Sequence, residues 1–581
     1  MKKITIEHLT RVEGNGGVTA TIDGNVVTDV KFNIFEGPRL VEKLAVGRVP
    51  EEVVSLTPRI CAICSVSHKN AVLRAMENAL SVEVPEKVHL TRELMHMGEM
   101  VESHSLHVYY LVLPDFVGFP NAIAMASKFD FEVKIALEMK EFGNHIMKVL
   151  SGRYIHGENP VIGGFGKYPV KEELIWIKSR AIQFMPFVHK TVSLICELDY
   201  PDSPEEETFY ACCEPGNDAY GFRGDEILLS TGEKIFRDDY PILTNEFVVP
   251  HSFAKRSRFK GKPYSVGALA RVNNLGERLT GEAGERYKKY FNARWEKNPL
   301  YHSAAQALEL MYCFEKIPKL VDELLKIPED PPVIKSDKTD GRGTGLVEAP
   351  RGLLIHHYGI SDGQVADADI ITPTAQNAED IERYCRIAAQ RLCFEGKANA
   401  IKAKLEMVVR AFDPCISCSV HLAEVNHAPL DSWKEKYSEL KGDGIPFFIG
   451  VGNTSRADDG FGIELATKIR DRGIGPVLLA PEILQKSVSP DVQGSRHVIF
   501  LDAIDFHEEP GKITLFPLEF VFQNLSLSHR FVPFIQAIQS DEQMRSAFIL
   551  GVQPGSLEQG KDMSPAVQEA IDKILEHMEK G

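Results

Sequence analysis

The sequence carries two C-x-x-C pairs, Cys61-Ala62-Ile63-Cys64 and Cys415-Ile416-Ser417-Cys418, with Cys64 and Cys415 separated by 351 positions. If the four thiolates share a metal, the fold must carry the chain through hundreds of residues and return it to its own beginning. Random placement of ten cysteines would give roughly 0.2 such pairs, so two are informative. Structural zinc sites usually gather their ligands within one local knuckle. Thiolates this remote suit a soft or borderline metal held inside a large domain. A structural four-cysteine zinc protein is the plain competing reading.

A chain of 581 residues exceeds what one hydrophobic core supports, so at least two folding units are expected. With 44% hydrophobic and 25% charged residues, the composition excludes wholly disordered, collagen-like and coiled-coil chains. The longest apolar runs, such as Ile445 to Val451, fall far short of the about 18 residues of a membrane span, so no direct membrane insertion is expected. The net charge of −16 with scattered basic residues lacks the footprint that nucleic acid demands. The opening Met1-Lys2-Lys3-Ile4-Thr5-Ile6-Glu7 alternates like a strand and has no signal-peptide apolar region. Ten cysteines are too few for a disulfide scaffold, so free thiols and a cytoplasmic location are expected.

Residues 1 to 35 alternate in polarity, and Asp23-Gly24-Asn25 signals a hairpin, which predicts an N-terminal antiparallel β-sheet. From about residue 66 helical periodicity dominates. Leu90, Leu94, Met97, Val101 and His104 mark one face of a helix that Pro114 should end, and 121–150, 170–197, 277–326 and 376–411 read similarly. The stretch 327–345 has loop composition. After His421 comes a polar segment, 422–444, read as a tail or linker. Apolar runs at 445–451, 476–480, 497–501, 512–518 and 547–552 then alternate with amphipathic stretches at 459–471, 529–538 and 564–579. That order predicts an α/β three-layer domain over 445–581.

The cysteine motifs, Arg59-x-Cys61-Ala62-x-Cys64-x-x-x-His68 and Asp413-Pro414-Cys415-x-x-Cys418-x-x-His421, resemble those of the large subunit of nickel-iron hydrogenases. The family pattern has glycine at the Ala62 position. The resemblance spans 1–421 and extends to Arg11-Val12-Glu13-Gly14, to Arg39-Leu40-Val41-Glu42 before Gly47-Arg48, and to Glu348-Ala349-Pro350-Arg351-Gly352. It implies a mainly α-helical large-subunit fold and reversible heterolytic cleavage of H2. By that resemblance Cys61 and Cys415 bind nickel terminally, while Cys64 and Cys418 bridge to an iron carrying carbon monoxide and cyanide. Cys415 would take the proton and Glu13 relay it, a role suited to a carboxyl in a shifted environment. Arg351 would stand over the open coordination face with Asp413 beside it, and Glu42 and His421 would hold magnesium. Without the motifs, Arg351 and Asp413 read as an ordinary ion pair and Glu42 as a solvated helix face.

Near Ser103, respiratory members tend to carry aspartate, and this sequence looks more like groups that feed soluble carriers. No further C-x-x-C array remains for iron–sulfur clusters, so an iron–sulfur small subunit and further electron-transfer subunits are expected. Nickel-insertion and iron-ligand maturation proteins are implied as well. A hydrogen sensor or an uncleaved assembly precursor is the alternative from the binding class.

In the C-terminal part, Gly450-Val451-Gly452-Asn453-Thr454-Ser455 lacks the third glycine of a dinucleotide loop, and Asp458 and Asp459 would repel a pyrophosphate. This segment looks like the hydrogenase maturation endopeptidases, which trim the large-subunit tail after nickel insertion. Further matches are Phe500-Leu501-Asp502-Ala503, Ser528-His529 and Leu550-Gly551-Val552-Gln553-Pro554. The resemblance implies that Asp459, Asp502 and His529 form a divalent-metal site that recognises nickel, and that cleavage falls between His421 and Leu422. Each residue alone reads as a cap or surface group.

Overall fold

A computed structural model describes residues 2–36, 40–202, 208–216, 219–420, 433–442, 444–455, 457–479, 497–504, 509–517, 546–556 and 562–580. The chain forms two compact units, Met1–His421 and Leu422–Gly581.

The first unit opens with the expected antiparallel sheet, Lys2–Ile6, Gly16–Asp23 and Val26–Ile34. Gly24 has φ +59° in the two-residue turn between Asp23 and Val26, a conformation glycine adopts without strain. Alternate residues Val18, Ala20, Val30 and Phe32 face inward and join Ile381, Tyr384 and Cys385 of the helix Pro373–Phe394 in one core. The helix Ile401–Ala411 adds Leu405, Val408 and Val409. The first strands are thus packed on the last helices of the unit. This brings residues 11–16 beside the turn that follows residue 411.

A larger helical core is built on Glu86–Leu106, Asp130–Ser151, Lys171–Cys196 and His302–Leu325. Pro114 does not end the first of these helices. The α-helix stops at Leu106, a wider π turn runs over His107–Val112, and Pro114 lies in the first turn of the short helix Leu113–Val117. A missing N–H costs nothing there, because first-turn amides have no intrahelical partner. The loop expected over 327–345 also needs correction at its end. Gly341, Gly343 and Gly345 belong to the strand Gly341–Ala349, the third in a sheet ordered Gln364–Ile371, Gly352–Ser361, Gly341–Ala349, Arg223–Gly224. A Cβ on any of the three would come within 2.1 to 2.2 Å of the carbonyl oxygens of Ala79, Ala75 and Ala71. These glycines let the helix Ser65–Leu80 rest its backbone on the strand.

The second unit is an α/β domain with strand order Val477–Leu479, Phe447–Gly450, His497–Ala503, Ser546–Val552, Ile513–Pro517. All neighbours are parallel except the last pair. Phe448, Ile499 and Phe548 share one face and pack with Leu465 and Ile469 of the helix Phe461–Asp471 and with Ile571 and Ile574 of Pro565–Lys580. Ile449, Phe500 and Ile549 on the opposite face are also buried, as a sheet covered on both faces requires. Within 422–444, residues Trp433–Gly442 form a helix whose Tyr437 and Leu440 join this core. The stretch expected to be helical at 529–538 lies outside the described residues.

Candidate metal centre

Two turns build the cysteine site. A 3-10 turn, Thr57–Ile60, delivers Cys61 in extended conformation, and Cys64 caps the helix Ser65–Leu80. The Cys64 amide donates to Cys61 Sγ at 3.2 Å. Ala62 is exposed and has no positive φ, so its methyl group crowds nothing in the turn. The second turn begins at Asp413, with φ +49°, which reverses the chain after the helix Ile401–Ala411. The Cys415 amide donates to Thr374 Oγ1 at 2.8 Å, and a 3-10 turn over Ile416–Ser419 presents Cys418.

The sulfurs converge. Cys61 Sγ lies 3.4 Å from Cys415 Sγ, Cys64 Sγ 3.7 Å from Cys418 Sγ, and Cys415 Sγ 2.7 Å from Cys418 Sγ. All four are free, buried and within 4.8 Å of one another. Among the described residues no other group of three or more metal-ligating side chains is drawn together in this way. Burial opposes ionisation of Cys61, but hydrogen bonds from Cys415, Cys418 and Cys64 outweigh it and hold this thiol well below its usual range. Burial, followed by the neighbouring sulfurs, pushes Cys415 well above it. One thiol ionises readily and its neighbour resists, so a full set of thiolates needs a cation in their midst. An all-sulfur donor set suits a soft or borderline metal, and nickel with iron fits it.

Arg351 and Asp413 meet beside this group. Arg351 Nε donates to the Asp413 carbonyl at 2.8 Å, and its Nη2 lies 3.0 Å from Asp413 Oδ1. Arg351 Nη1 is buried without a hydrogen-bond partner, a donor left over after the protein's own acceptors are used. Burial disfavours the guanidinium charge, but Asp413 and then Cys415, Cys64 and Cys61 outweigh it, so Arg351 stays cationic. Gln306 Nε2 donates to Asp413 Oδ2 at 3.2 Å, and His107 of the π turn hydrogen-bonds Gln306 and the Arg410 carbonyl. Glu13 pairs with Cys415 as an isolated parallel bridge, its carbonyl accepting from the Ile416 amide at 3.0 Å. Its carboxylate accepts from the Ser417 amide at 3.1 Å and from Ser417 Oγ at 2.6 Å. The structure therefore gathers Glu13, Arg351 and Asp413 around the second cysteine turn.

Motif reading missed the residues that hold Arg351 in place. Arg271, fully buried on the helix Ala268–Leu275, forks onto Glu309 at 2.5 and 2.7 Å and reaches Glu348 at 2.6 Å. It also donates to the carbonyls of Ala349 and Pro350. Burial would raise Glu309, but Arg271 outweighs it and holds this carboxyl down to about 2. The turn that presents Arg351 is thereby fastened to two helices. An arginine inside Ala268-Leu269-Ala270-Arg271-Val272 was the available signal, since a buried charge needs a partner.

Glu42 accepts from the Ile370 amide at 2.8 Å and lies 3.4 Å from Lys255 Nζ. Lys255 also contacts Glu246 at 2.8 Å. Burial raises Glu42, with Lys255 opposing and Asp369 adding to the rise. Glu246 Oε1 is buried without a partner. The proposed second magnesium ligand, His421, lies outside the described residues, as do Leu422 and His529. In the second unit, Asp459 follows the strand Phe447–Gly450 in the turn Ala457–Gly460, and Asp502 ends the neighbouring strand His497–Ala503. A Cβ on Gly452 would lie 1.9 Å from the Asp459 carbonyl and 3.9 Å from Asp502 Oδ1. The two residues thus approach the same glycine at the carboxyl ends of parallel strands, where α/β sites gather. Asp458 has another use: its carboxylate accepts from the amides of Gly555, Ser556 and Ser564 and from Ser564 Oγ.

Comparison with known proteins agrees with this geometry. A family model described as nickel-dependent hydrogenase matches residues 39–135 and 240–421, and one described as hydrogenase maturation protease matches 484–580. Sulfhydrogenase 1 subunit alpha of Pyrococcus furiosus is 41% identical over 422 residues, covering 73% of this chain and 98% of that one. Sulfhydrogenase 2 subunit alpha of the same organism is 40% identical, covering 73% of this chain and 100% of that one. The structure of an NAD+-reducing [NiFe]-hydrogenase in the H2-reduced state superposes with a TM-score of 0.66 at 28% identity, covering 72% of this chain and 100% of that one. This chain belongs to the nickel-dependent hydrogenase family, as a large subunit that continues into a hydrogenase maturation protease domain.

Proposed function

We propose that the first unit catalyses the heterolytic cleavage of H2 and that the second cleaves the chain after His421 once nickel is in place. The observation that carries the first reading is the convergence of four buried sulfurs from two remote turns, with Glu13, Arg351 and Asp413 gathered around the turn that bears Cys415. Cys61, Cys64, Cys415 and Cys418 would hold nickel and iron, the iron completed by carbon monoxide and cyanide. The bound metals supply Lewis acidity and redox capacity. Cys415 Sγ takes the proton, and the Glu13 carboxyl receives it after giving up one of its Ser417 hydrogen bonds. Arg351 supplies a fixed cation and the unpartnered Nη1 donor, while Asp413 keeps its guanidinium in place.

The electrons leave through a partner. The six remaining cysteines, at 196, 212, 213, 313, 385 and 393, form no metal-ligating group among the described residues. This supports an iron–sulfur small subunit and further electron-transfer subunits, after assembly by nickel-insertion and iron-ligand maturation proteins. Three carboxyl groups, Glu42, Glu246 and Asp369, face the single cation Lys255, and the unpartnered Glu246 Oε1 supports a magnesium ion there with Glu42 and His421 as ligands. No helix among the described residues is long and apolar enough to cross a membrane, and a cytoplasmic enzyme is proposed.

In the second unit Asp459, Asp502 and His529 would bind the divalent metal through which nickel is recognised. Residues 422–444 would start the released tail. Because the helix Trp433–Gly442 is part of the second unit's core, the fragment beginning at Leu422 would keep that unit whole. Tethering places the scissile bond at an effective concentration near the millimolar range for its own protease. The deciding experiment is hydrogen uptake by the chain co-produced with its small subunit, with metal analysis and infrared spectra. Nickel, iron and carbonyl and cyanide bands with turnover are expected; zinc alone with no such bands would overturn the reading.

A further inference from the structure

Apart from the metal centre, the first unit contains a cavity of about 190 Å³ between the helices Ser65–Leu80 and Glu86–Leu106 and the segment 219–223. In a chain of net charge −16, its wall is cationic. Arg74, Arg92, Arg223 and Lys316 line it, against the carboxylates Glu77 and Glu93. Arg92 is used up by Glu77, in a bidentate pair at 2.7 and 2.8 Å. Arg223 and Lys316 must share Glu93, at 3.3 and 3.4 Å. Arg74 pairs with Asp225, which Arg237 also contacts.

Two donors at this wall have no partner. Arg74 Nε and Arg92 Nε are both buried and make no hydrogen bond, and Arg92 as a whole is only 5% exposed. These buried donors add to the positive field of a wall whose cations outnumber its carboxylates, and an oxyanion is the ligand that offsets that surplus. The imidazoles add to the case, since His89 is pushed down to about 4 by burial and then by Arg223, Arg92 and Arg74. A neutral His89, 3.2 Å from Arg223 Nη1, adds no negative charge to the Glu93 that Arg223 shares with Lys316.

We propose that this cavity binds a small doubly charged oxyanion of phosphate size, free or as the terminal group of a larger molecule. Tyr220 and Phe222 form its apolar wall, so an aromatic portion of such a molecule has a surface to lie on. The cavity adjoins the helix that leads away from Cys64. His96 lines the cavity and lies 3.3 Å from Ser67 Oγ, on the helix that starts after Cys64.

The test is titration of the full-length chain with inorganic phosphate by calorimetry, with acetate as the singly charged control. One saturable phosphate site is expected, with acetate weaker. Arg223→Gln and Lys316→Gln should each weaken phosphate about tenfold. Glu93→Gln, which frees both cations while leaving the wall intact, should tighten it by a similar factor. Lys178→Gln, whose partner is Asp322 outside the cavity, should change nothing. Absence of saturable binding, equal affinity for acetate, or indifference to Glu93→Gln would overturn the proposal. So would equal weakening by Lys178→Gln, which would mark the binding as diffuse attraction.

Discussion

In the first unit the four candidate sulfur ligands come from two turns 351 positions apart and all are buried. In the second, Asp459 and Asp502 are half-buried, one in the turn Ala457–Gly460 and the other near the end of the strand His497–Ala503. The contrast follows from the donor chemistry. Thiolates bind a soft metal best where water is excluded, and their mutual repulsion must be overcome by a rigid surrounding. That surrounding packs the four cysteines with Val41, Ile60, Ala71, Val347 and Leu354, and the glycine-bearing strand Gly341–Ala349 holds the cysteine helix from behind. Carboxylates and imidazole keep affinity for a divalent ion in contact with water. A parallel sheet supplies such a rim without a special core.

The strongest way to break this comparison is to replace a sulfur. Cys61, Cys64, Cys415 or Cys418 changed to Ser should abolish both nickel retention and hydrogen uptake, since a hydroxyl does not ionise to replace a thiolate. Near-normal uptake by any one variant would remove that residue from the site. In the second unit, Asp459→Ala or Asp502→Ala should leave the intact 64.9 kDa chain in a nickel-replete preparation. The unsubstituted chain should yield a fragment of about 18 kDa by residue proportion. Equal processing in the variants would show that neither carboxylate is a ligand.

Smaller effects sharpen the contrast. Glu13→Gln should lower turnover by about 10² to 10⁴ with nickel content unchanged, because the relay loses its exchangeable acid; loss of nickel would make Glu13 structural. Arg271→Gln should cost more than about 3 kcal/mol in thermal unfolding of the first unit, because Glu309 and Glu348 are left buried and uncompensated. An unchanged midpoint would mean that the turn before Arg351 is held by something else. Asp458→Asn should cost about 1 to 3 kcal/mol in the second unit alone, through weaker acceptance from Gly555, Ser556 and Ser564. A loss confined to processing, with stability intact, would place Asp458 among the ligands in place of Asp459.

Much of this is legible in the sequence. Short-range signals sufficed for the hairpin at Gly24, for the helices with apolar periodicity and for the strands around Phe448, Phe500 and Ile549. The spacing of Cys61, Cys64, Cys415 and Cys418 already demanded a closed tertiary loop. Other features were misread because a local pattern has two meanings. Gly341-Arg342-Gly343-Thr344-Gly345 looks like a loop to any composition rule, yet alternate glycines also permit a helix to touch a strand. Pro114 breaks a helix interior and equally starts a new one.

The sequence by itself determined which residues can donate sulfur, charge or a proton, and in what order along the chain, because those are properties of side chains and spacing. Only the tertiary structure decided which of them meet. The pairing of Arg271 with Glu309 and Glu348, the docking of Glu13 on Ser417, and the cations collected between Arg74 and Lys316 all join residues remote in the chain. No local pattern encodes such contacts. They arise because a single core must bury the apolar faces of many elements at once, and the polar groups carried along have to find partners wherever that packing leaves them.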